Sequence, residues 1–222
     1  LAFEGLYKAF HNIFKEINWL SLMPVSIIIP AFNEEKYIEE TLKALPSGHE
    51  VIVVCNGCTD GTALIARKYT DKVIITEDKG VSKAKNLGAS KASHEKLIFL
   101  DADIVIGKDV VDAIEESKYE LGTISLTPNK KDFTSKLIII LRNHFIAITK
   151  RGGGVIYCNK KIFNKVKGFP ENLSFKEDIL FIKKAKKLTK YKLIKKIGTV
   201  NMRRYQKGFL NQIIIILKSW IN

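Results

Sequence analysis

The chain has 222 residues, with 37 Lys and Arg against 23 Asp and Glu, a formal charge of +14. That length suits one α/β domain with a core large enough to stand alone. Cys55, Cys58 and Cys158 exclude a full disulfide framework and fit a reducing, cytoplasmic compartment. No apolar run reaches the ~18 residues of a spanning helix, and no signal-peptide pattern is present.

Residues 1–22 place Phe3, Leu6, Phe10, Ile13, Phe14, Ile17 and Leu20 at spacings of three and four, which predicts an amphipathic helix ended by Pro24. VSIII (25–29) is a buried strand. Residues 33–45 form a helix with Asn33 as its cap and acids in its first turn. Strands are expected at 50–55, 72–76 and 96–100, and helices near 60–70 and from 80 to 90. This repeated alternation predicts a parallel sheet with right-handed crossovers. Beyond it the pattern gives a helix at 108–117, a strand at 123–127 and an apolar helix at 136–149. A glycine turn at 151–154, a strand at 155–158, a helix at 174–188 and a strand at 191–197 follow. Residues 208–221 make a second amphipathic terminal helix. Residues 160–196 hold thirteen lysines against Glu171, Glu177 and Asp178, a face suited to polyanions or an anionic membrane surface.

The stretch LIFLDADIVI (97–106) reads as a buried strand ending in Asp101 and Asp103. Alternation along an extended chain would turn both carboxylates to one point past the strand end, where ligands bind in open α/β sheets. Paired carboxylates suit Mn²⁺ or Mg²⁺, and such an ion suits a diphosphate. Cys55 and Cys58 form a C-x-x-C with no second pair to complete a zinc site, so small buried residues are the expectation there.

Four segments in order, VSIIIPAFNEEKYIEETLKAL (25–45), VIVVCNGCTDGT (51–62), LIFLDADIVI (97–106) and GGGVIYCNKKIFNKVKGFPENLSFKEDILFIKKAKK (152–187), resemble the inverting nucleotide-sugar glycosyltransferases of family two. The resemblance implies an α/β GT-A (Rossmann-like) fold, a mostly parallel sheet flanked by helices, with amphipathic helices at both termini. It divides the chain into an N-terminal helix (1–23), a glycosyltransferase domain (24–208) and a C-terminal helix (209–222). It implies a UDP- or GDP-linked sugar as donor, with Mn²⁺ or Mg²⁺. Pro30, Ala31, Phe32, Asn33 and Glu34 would hold the nucleoside, with Phe32 on the base or ribose. Asp103 would be the direct metal ligand. Asp101 would touch the ribose, a metal-bound water or the metal itself, and Ala102 lies between them against the donor.

Two positions depart from the family pattern. Cys55 stands where an acid is usual, leaving Asn56 to read the base. Lys85 stands where an arginine usually precedes asparagine; it and Lys83 offer point charges to the phosphates without a two-pronged guanidinium contact. Arg203 and Arg204 resemble a basic element that grips the diphosphate. Gly152, Gly153 and Gly154 resemble the acceptor-side segment. Asp178 resembles the general base that deprotonates the acceptor, and Glu177 would orient the acceptor or a loop. The apolar segments 1–22, 136–149 and 208–221, with the lysine-rich stretch, point to a cytoplasmic enzyme peripheral on the inner membrane face whose acceptor is a polyprenyl phosphate or glycolipid, with a soluble glycan or protein acceptor open as well. Two other readings stay open. A nucleotidyltransferase would show a Gly-rich basic loop after the first strand, which PAFNEE lacks. A polyanion-binding module would follow from charge alone, though no aromatic–basic interleaving suits nucleic acid.

Overall fold

The computed structural model describes residues 24–173 and 176–205, with the side chains of Arg204 and Tyr205 outside that description. The helices expected at 1–22 and 208–221 also lie outside the described residues. The first half is β1 (Ser26–Ala31), α1 (Ile38–Ala44), β2 (Glu50–Asn56), α2 (Thr62–Ala66), β3 (Val73–Thr76), α3 (Val81–Lys91) and β4 (Lys96–Leu100). The second half is β5 (Ile104–Val105), α4 (Lys108–Glu115), β6 (Leu121–Pro128), α5 (Phe133–Thr149), β7 (Val155–Asn159), α6 (Lys160–Lys165), α7 (Glu177–Ala185) and β8 (Tyr191–Val200), closed by a 3₁₀ turn at Met202–Tyr205.

One eight-stranded sheet runs in the order β3-β2-β1-β4-β7-β6-β8-β5. β3, β2, β1 and β4 are mutually parallel. β7 joins antiparallel to β4 and to β6, β8 runs parallel to β6, and β5 pairs antiparallel with β8. The sheet is therefore mixed, with its parallel half laid down first. β1 is buried along its whole length, as expected of a strand covered on both faces. Alternation sorts its side chains into two layers. Ile27, Ile29, Val53 and Leu100 pack beneath α1, α2, α4 and α5. Ile28, Val54, Leu97 and Phe99 pack beneath α3, α6 and α7.

Several boundaries differ from the sequence expectation. The first helix starts at Ile38, not Asn33, because residues 34–37 form a turn in which Tyr37 and Ile38 N–H both donate to the Glu34 carbonyl (2.9 Å each). Asn33 does not cap it. It adopts a left-handed φ of 54° and bonds Thr59 in the neighbouring loop. α6 and the short β5 carry too few residues to leave a periodic signal.

Two contacts fix how the parallel half closes. Gly88 presses α3 onto the sheet; a Cβ there would collide with Ile28 and reach Val54 at 3.2 Å. At the amino ends of the strands, Glu50 accepts from Ser26 on β1, from Lys72 ahead of β3, and from Ser93 ahead of β4 through N–H and hydroxyl (2.8 Å each). Burial works to raise the Glu50 pKa, but these donors overcome it and hold the carboxyl at about 2, against an ordinary 4.5.

Because the folded value is the lower one, the Glu50 contribution is complete above about pH 4.5 and is lost as the pH falls toward 2. Glu50→Gln is expected to lower stability at neutral pH by roughly 2–3 kcal/mol and to flatten that acid limb, read by urea unfolding at stepped pH. Gly88→Ala is expected to cost about 1–3 kcal/mol in the same assay, since the new methyl overpacks the α3 contact.

Candidate active site

The carboxyl ends of β1, β2 and β4 meet along one edge of the sheet, and the loops leaving them are tied to one another. Asn33 and Thr59 join the β1 and β2 loops, with Thr59 N–H donating to Asn33 Oδ1 at 2.8 Å. Glu34 N–H donates to Thr62 Oγ1 (2.7 Å), and Glu35 N–H to Asp60 Oδ2 (3.2 Å). Asp60 also accepts from the Thr62 N–H (3.0 Å), the helix-entry role its position suggests. Asn56, its amide turned to satisfy both neighbours, donates to the Ala31 carbonyl (2.7 Å) and accepts from the Gly80 N–H (3.2 Å). Pro30 and Ala31 are buried in β1, and Phe32 is half exposed just beyond it.

The densest electrostatic feature is Lys85. It projects from α3, is 2 % exposed, and places Nζ 2.6 Å from Asp178 Oδ1 and 3.9 Å from Glu177 Oε1. The face of Phe169 lies 4.9 Å from the same ammonium. Burial alone would lower its pKa; Asp178 first, then Asp101 and Glu177, raise it above the ordinary lysine value and keep it charged. Asp178 moves upward too, because burial and the negative charges of Asp101 and Glu177 outweigh the attraction of Lys85. Three carboxylates therefore share one ammonium. Arg142 of α5 stands at the same place: a Cβ on Gly154 would lie 3.9 Å from its Nη2 and 3.8 Å from Asp101 Oδ2.

Packing sets where Asp178 stands. One turn along α7, Phe181 is fully buried and stacks on Phe169 at 4.3 Å, while Phe169 meets Phe99 of β4 edge-on at 4.9 Å. Asn86, the residue after Lys85, grips that segment from α3, donating to the Phe169 carbonyl (2.9 Å) and accepting from its N–H (2.9 Å). The glycine loop covers the cluster. A Cβ on Gly153 would lie 3.0 Å from Asp178 Oδ2, and one on Gly154, where φ is +84°, would lie 3.8 Å from Asp101 Oδ2. Gly154 also accepts from the Asp101 N–H (2.9 Å). Gly152 faces the Tyr191 hydroxyl instead.

Asp103 belongs to a second knot. Arg203 donates through Nε to Asp103 Oδ2 (3.1 Å) and through Nη2 to Glu34 Oε2 (2.6 Å), with its guanidinium 4.2 Å over the Tyr37 ring. The Asn201 N–H donates to the Asp103 carbonyl (3.0 Å), so the last turn of the described chain is bound to this acid on both sides. The alternation argument for Asp101 and Asp103 fails here for a local reason. β4 stops at Leu100, and residues 101–104 make a turn closed by Ile104 N–H to Asp101 carbonyl (3.1 Å). The backbone is no longer extended, and the two carboxylates serve different partners.

Of the expected site residues, the structure thus brings together Lys85, Asp101, Glu177, Asp178, Gly153 and Gly154, and separately Glu34, Asp103 and Arg203, the two groups being joined through Ala102. Lys83 stands apart, half-buried and paired with Asp78 at 3.3 Å. Arg142 is a participant the sequence reading missed: from α5 it donates to the Gly153 carbonyl at 2.7 Å. A lone arginine in the middle of an apolar helix was the available signal. Tyr37 and Asn86 left no signal of their own. Cys55 and Cys158 are buried, and Cys58 is partly so; all three are free, and burial pushes the Cys55 and Cys158 thiols up to about 12. Among the described residues, one His–carboxylate grouping has ligand-like spacing: His49, Asp112 and Glu115. It lies at the amino ends of the strands, with Asp112 already bridged by Lys108 at 2.8 Å.

Comparison with known proteins agrees with this architecture. The computed fold superposes on the Staphylococcus aureus TarS 1–349 complex with UDP-GlcNAc with a TM-score of 0.66 and 26 % identity, covering 82 % of this chain and 59 % of that one. The mannosyltransferase PcManGT of Pyrobaculum calidifontis, solved with GDP-Man and Mn²⁺, shares the fold at a TM-score of 0.63 and 20 % identity, over 83 % of this chain and 58 % of that one. In sequence, the poly(ribitol-phosphate) beta-N-acetylglucosaminyltransferase TarS of S. aureus (strain Mu50 / ATCC 700699) is 33 % identical over 102 residues, 40 % of this chain and 18 % of its own length. The validoxylamine A glucosyltransferase of Streptomyces hygroscopicus subsp. limoneus is 34 % identical over 102 residues, 40 % of this chain and 22 % of its own. The chain spans about a fifth of the length of these two relatives. The profile described as Glycosyl transferase family 2 matches residues 26–198, and on that match, over most of a GT-A sheet, the chain belongs to glycosyl transferase family 2.

Proposed function

We propose that this chain moves a sugar from a UDP- or GDP-linked donor to an acceptor hydroxyl or phosphate, inverting the anomeric centre. The single observation that carries the reading is the placement of Asp178 beside Asp101 and Lys85 under the Gly153–Gly154 loop. That puts a candidate base at the carboxyl-end edge of the sheet, where ligands bind in open α/β folds, and TarS, which shares this fold, was solved in complex with UDP-GlcNAc.

The donor set fits a hard divalent cation. Asp101 and Asp103 bracket the turn that ends β4, and carboxylate oxygens are the ligands such a cation takes. Asp101 and Asp103 are the residues that would hold Mn²⁺ or Mg²⁺, and the ion, when bound, would stabilise negative charge on the departing diphosphate. The residues of the chain do the rest. Asn56 and the 30–34 segment bound the nucleoside end. Arg203, held by Glu34 and Asp103, offers a fixed cation on the phosphate side. Asp178 takes the acceptor proton as its oxygen bonds to the anomeric carbon, and the electron pair of the broken sugar–oxygen bond leaves on the diphosphate. Because the incoming oxygen and the leaving oxygen occupy opposite sides, the centre inverts. Lys85 keeps the base in place for that task. Gly153 and Gly154 border the acceptor's approach to Asp178, a Cβ on Gly153 lying 3.0 Å from its Oδ2.

A lipid-borne acceptor, either a polyprenyl phosphate or a glycolipid, at the cytoplasmic face of a membrane is the acceptor reading favoured here. It is supported by the basic excess of residues 160–196 and by the cations at the mouth of the glycine loop, Lys150, Arg151 and Lys186. The nucleotidyltransferase alternative gains no support: the loop after β1 is tied down by Thr59, Asp60 and Thr62 rather than forming a glycine-rich phosphate cradle.

Asp178→Ala is expected to bind donor as the wild type does and to lose transfer about a hundred- to ten-thousand-fold, read by calorimetric donor titration beside a radiolabelled transfer assay. Transfer at the wild-type rate would remove Asp178 as the base. Asp103→Ala is expected to abolish the Mn²⁺-dependent thermal shift given by a panel of UDP- and GDP-sugars. Lys85→Met leaves buried carboxylates unpaired and is expected to cost ~3 kcal/mol in urea unfolding, with Asp178→Asn in the same chain restoring a good part.

A further inference from the structure

α5 carries two unlike faces. Ser135, Ile138, Ile139, Phe145 and Ile146 are buried against the sheet. On the outside, Phe133 is 78 % exposed, Ile140 51 %, Leu141 45 % and Ile148 78 %. Steps of seven or eight residues place these four on one stripe, two helical turns apart. A water-facing helix normally turns charges outward, so a stripe of large apolar groups signals a covering partner. The charges nearby are of one sign. From Phe133 to Pro170 the sequence has no Asp or Glu, and Lys136, Lys150 and Arg151 border the stripe. Lys186 reaches the Thr149 carbonyl at the helix end (3.4 Å), where burial first and then Lys150 and Arg151 depress its pKa.

We infer that the outer stripe of α5 docks on an anionic lipid bilayer, with Phe133, Ile140, Leu141 and Ile148 among the acyl chains and Lys136 and Lys150 on the headgroups. Charge decides the occupant. A second copy laid against this face would bring lysines against lysines, whereas anionic headgroups neutralise them. α5 has 17 residues, and none of the described helices is long and apolar enough to cross a membrane, so α5 lies on the surface. The pose serves the active site. Ile148 and Gly153 are five residues apart, no more than ~18 Å of chain, so the loop over Asp178 sits at the headgroup level, where a lipid-linked acceptor presents its reactive end. This deepens the lipid-acceptor reading above and rests on it for its purpose, but not for the binding itself.

The test is co-sedimentation of the full chain with vesicles of phosphatidylcholine alone or with about a third phosphatidylglycerol. The wild type is expected to pellet with the anionic vesicles only, and less as salt rises. The triple variant Ile140→Glu, Leu141→Glu, Ile148→Glu is expected to partition at least about tenfold more weakly, with an unchanged thermal midpoint and unchanged hydrolysis of donor in vesicle-free solution. Lys136→Glu with Lys150→Glu, both at exposed positions, should weaken pelleting in the same way and covers the case in which the triple variant does not fold. Loss of donor hydrolysis in the wild type with pelleting intact would overturn the transferase reading and leave the docking surface standing. A wild type that stays in the supernatant overturns the inference, as do variants that pellet like the wild type. So does a wild-type dimer in solution that the triple variant converts to monomer.

Discussion

A buried ammonium shared by three carboxylates is the constraint around which the candidate site is arranged. Lys85 reaches Asp178 because α3 lies unusually close to β1 and β2, and α3 lies that close because residue 88 has no side chain. The other partner, α7, is fixed by aromatic packing, with Phe181 stacked on Phe169 and Phe169 set against Phe99. Two helices far apart in sequence thus deliver one ion pair to the end of β4. Burying an ion pair gains little stability by itself, since desolvation offsets much of the attraction. Its retention is better understood as positional: it holds a carboxylate with a raised pKa at a defined place at the end of β4.

The second knot, Arg203 with Glu34, Asp103 and Tyr37, does a different job. It ties the turn after β8 back to the loop after β1, across 169 residues of sequence. The arginine is held by two acids at once, which raises its pKa further against the cost of burial and leaves it charged at any working pH. The two knots flank the 101–103 turn, one on each acid.

The parallel half of the sheet was legible in sequence because its strands are buried on both faces and read as unbroken β-branched runs, VSIII and EVIVVC among them. The tail of each strand was legible too, since Asn56 and Asp101 follow directly on such runs. What the sequence could not convey is where extended backbone gives way. Residues 101–104 turn, so i and i+2 part company, and residues 34–37 turn, so Asn33 joins a neighbouring loop instead of capping a helix. Lys85 was read as a phosphate contact because its position in the motif carried that role by resemblance. Its pairing with Asp178 depends on a contact 93 residues away, set by the depth of α3, which no local pattern encodes. Arg142 escaped for the same reason: its partner is a backbone carbonyl in a loop, and a loop carbonyl has no signature.

α5 connects the chemistry to the surroundings. Its inner side carries Arg142, which holds the Gly153 carbonyl and so fixes the loop over Asp178. Its outer side carries Ile140, Leu141 and Ile148 into the surroundings. Arg142 follows Leu141 directly, so a force or displacement at the outer stripe acts on the residue that anchors the glycine loop, through a rigid helix rather than a flexible tether. The loop has no side chains of its own with which to resist, because Gly152, Gly153 and Gly154 leave its course to be set by what grips its carbonyls. α5 therefore links its outer stripe to the loop over Asp178 through a single residue step, Leu141 to Arg142.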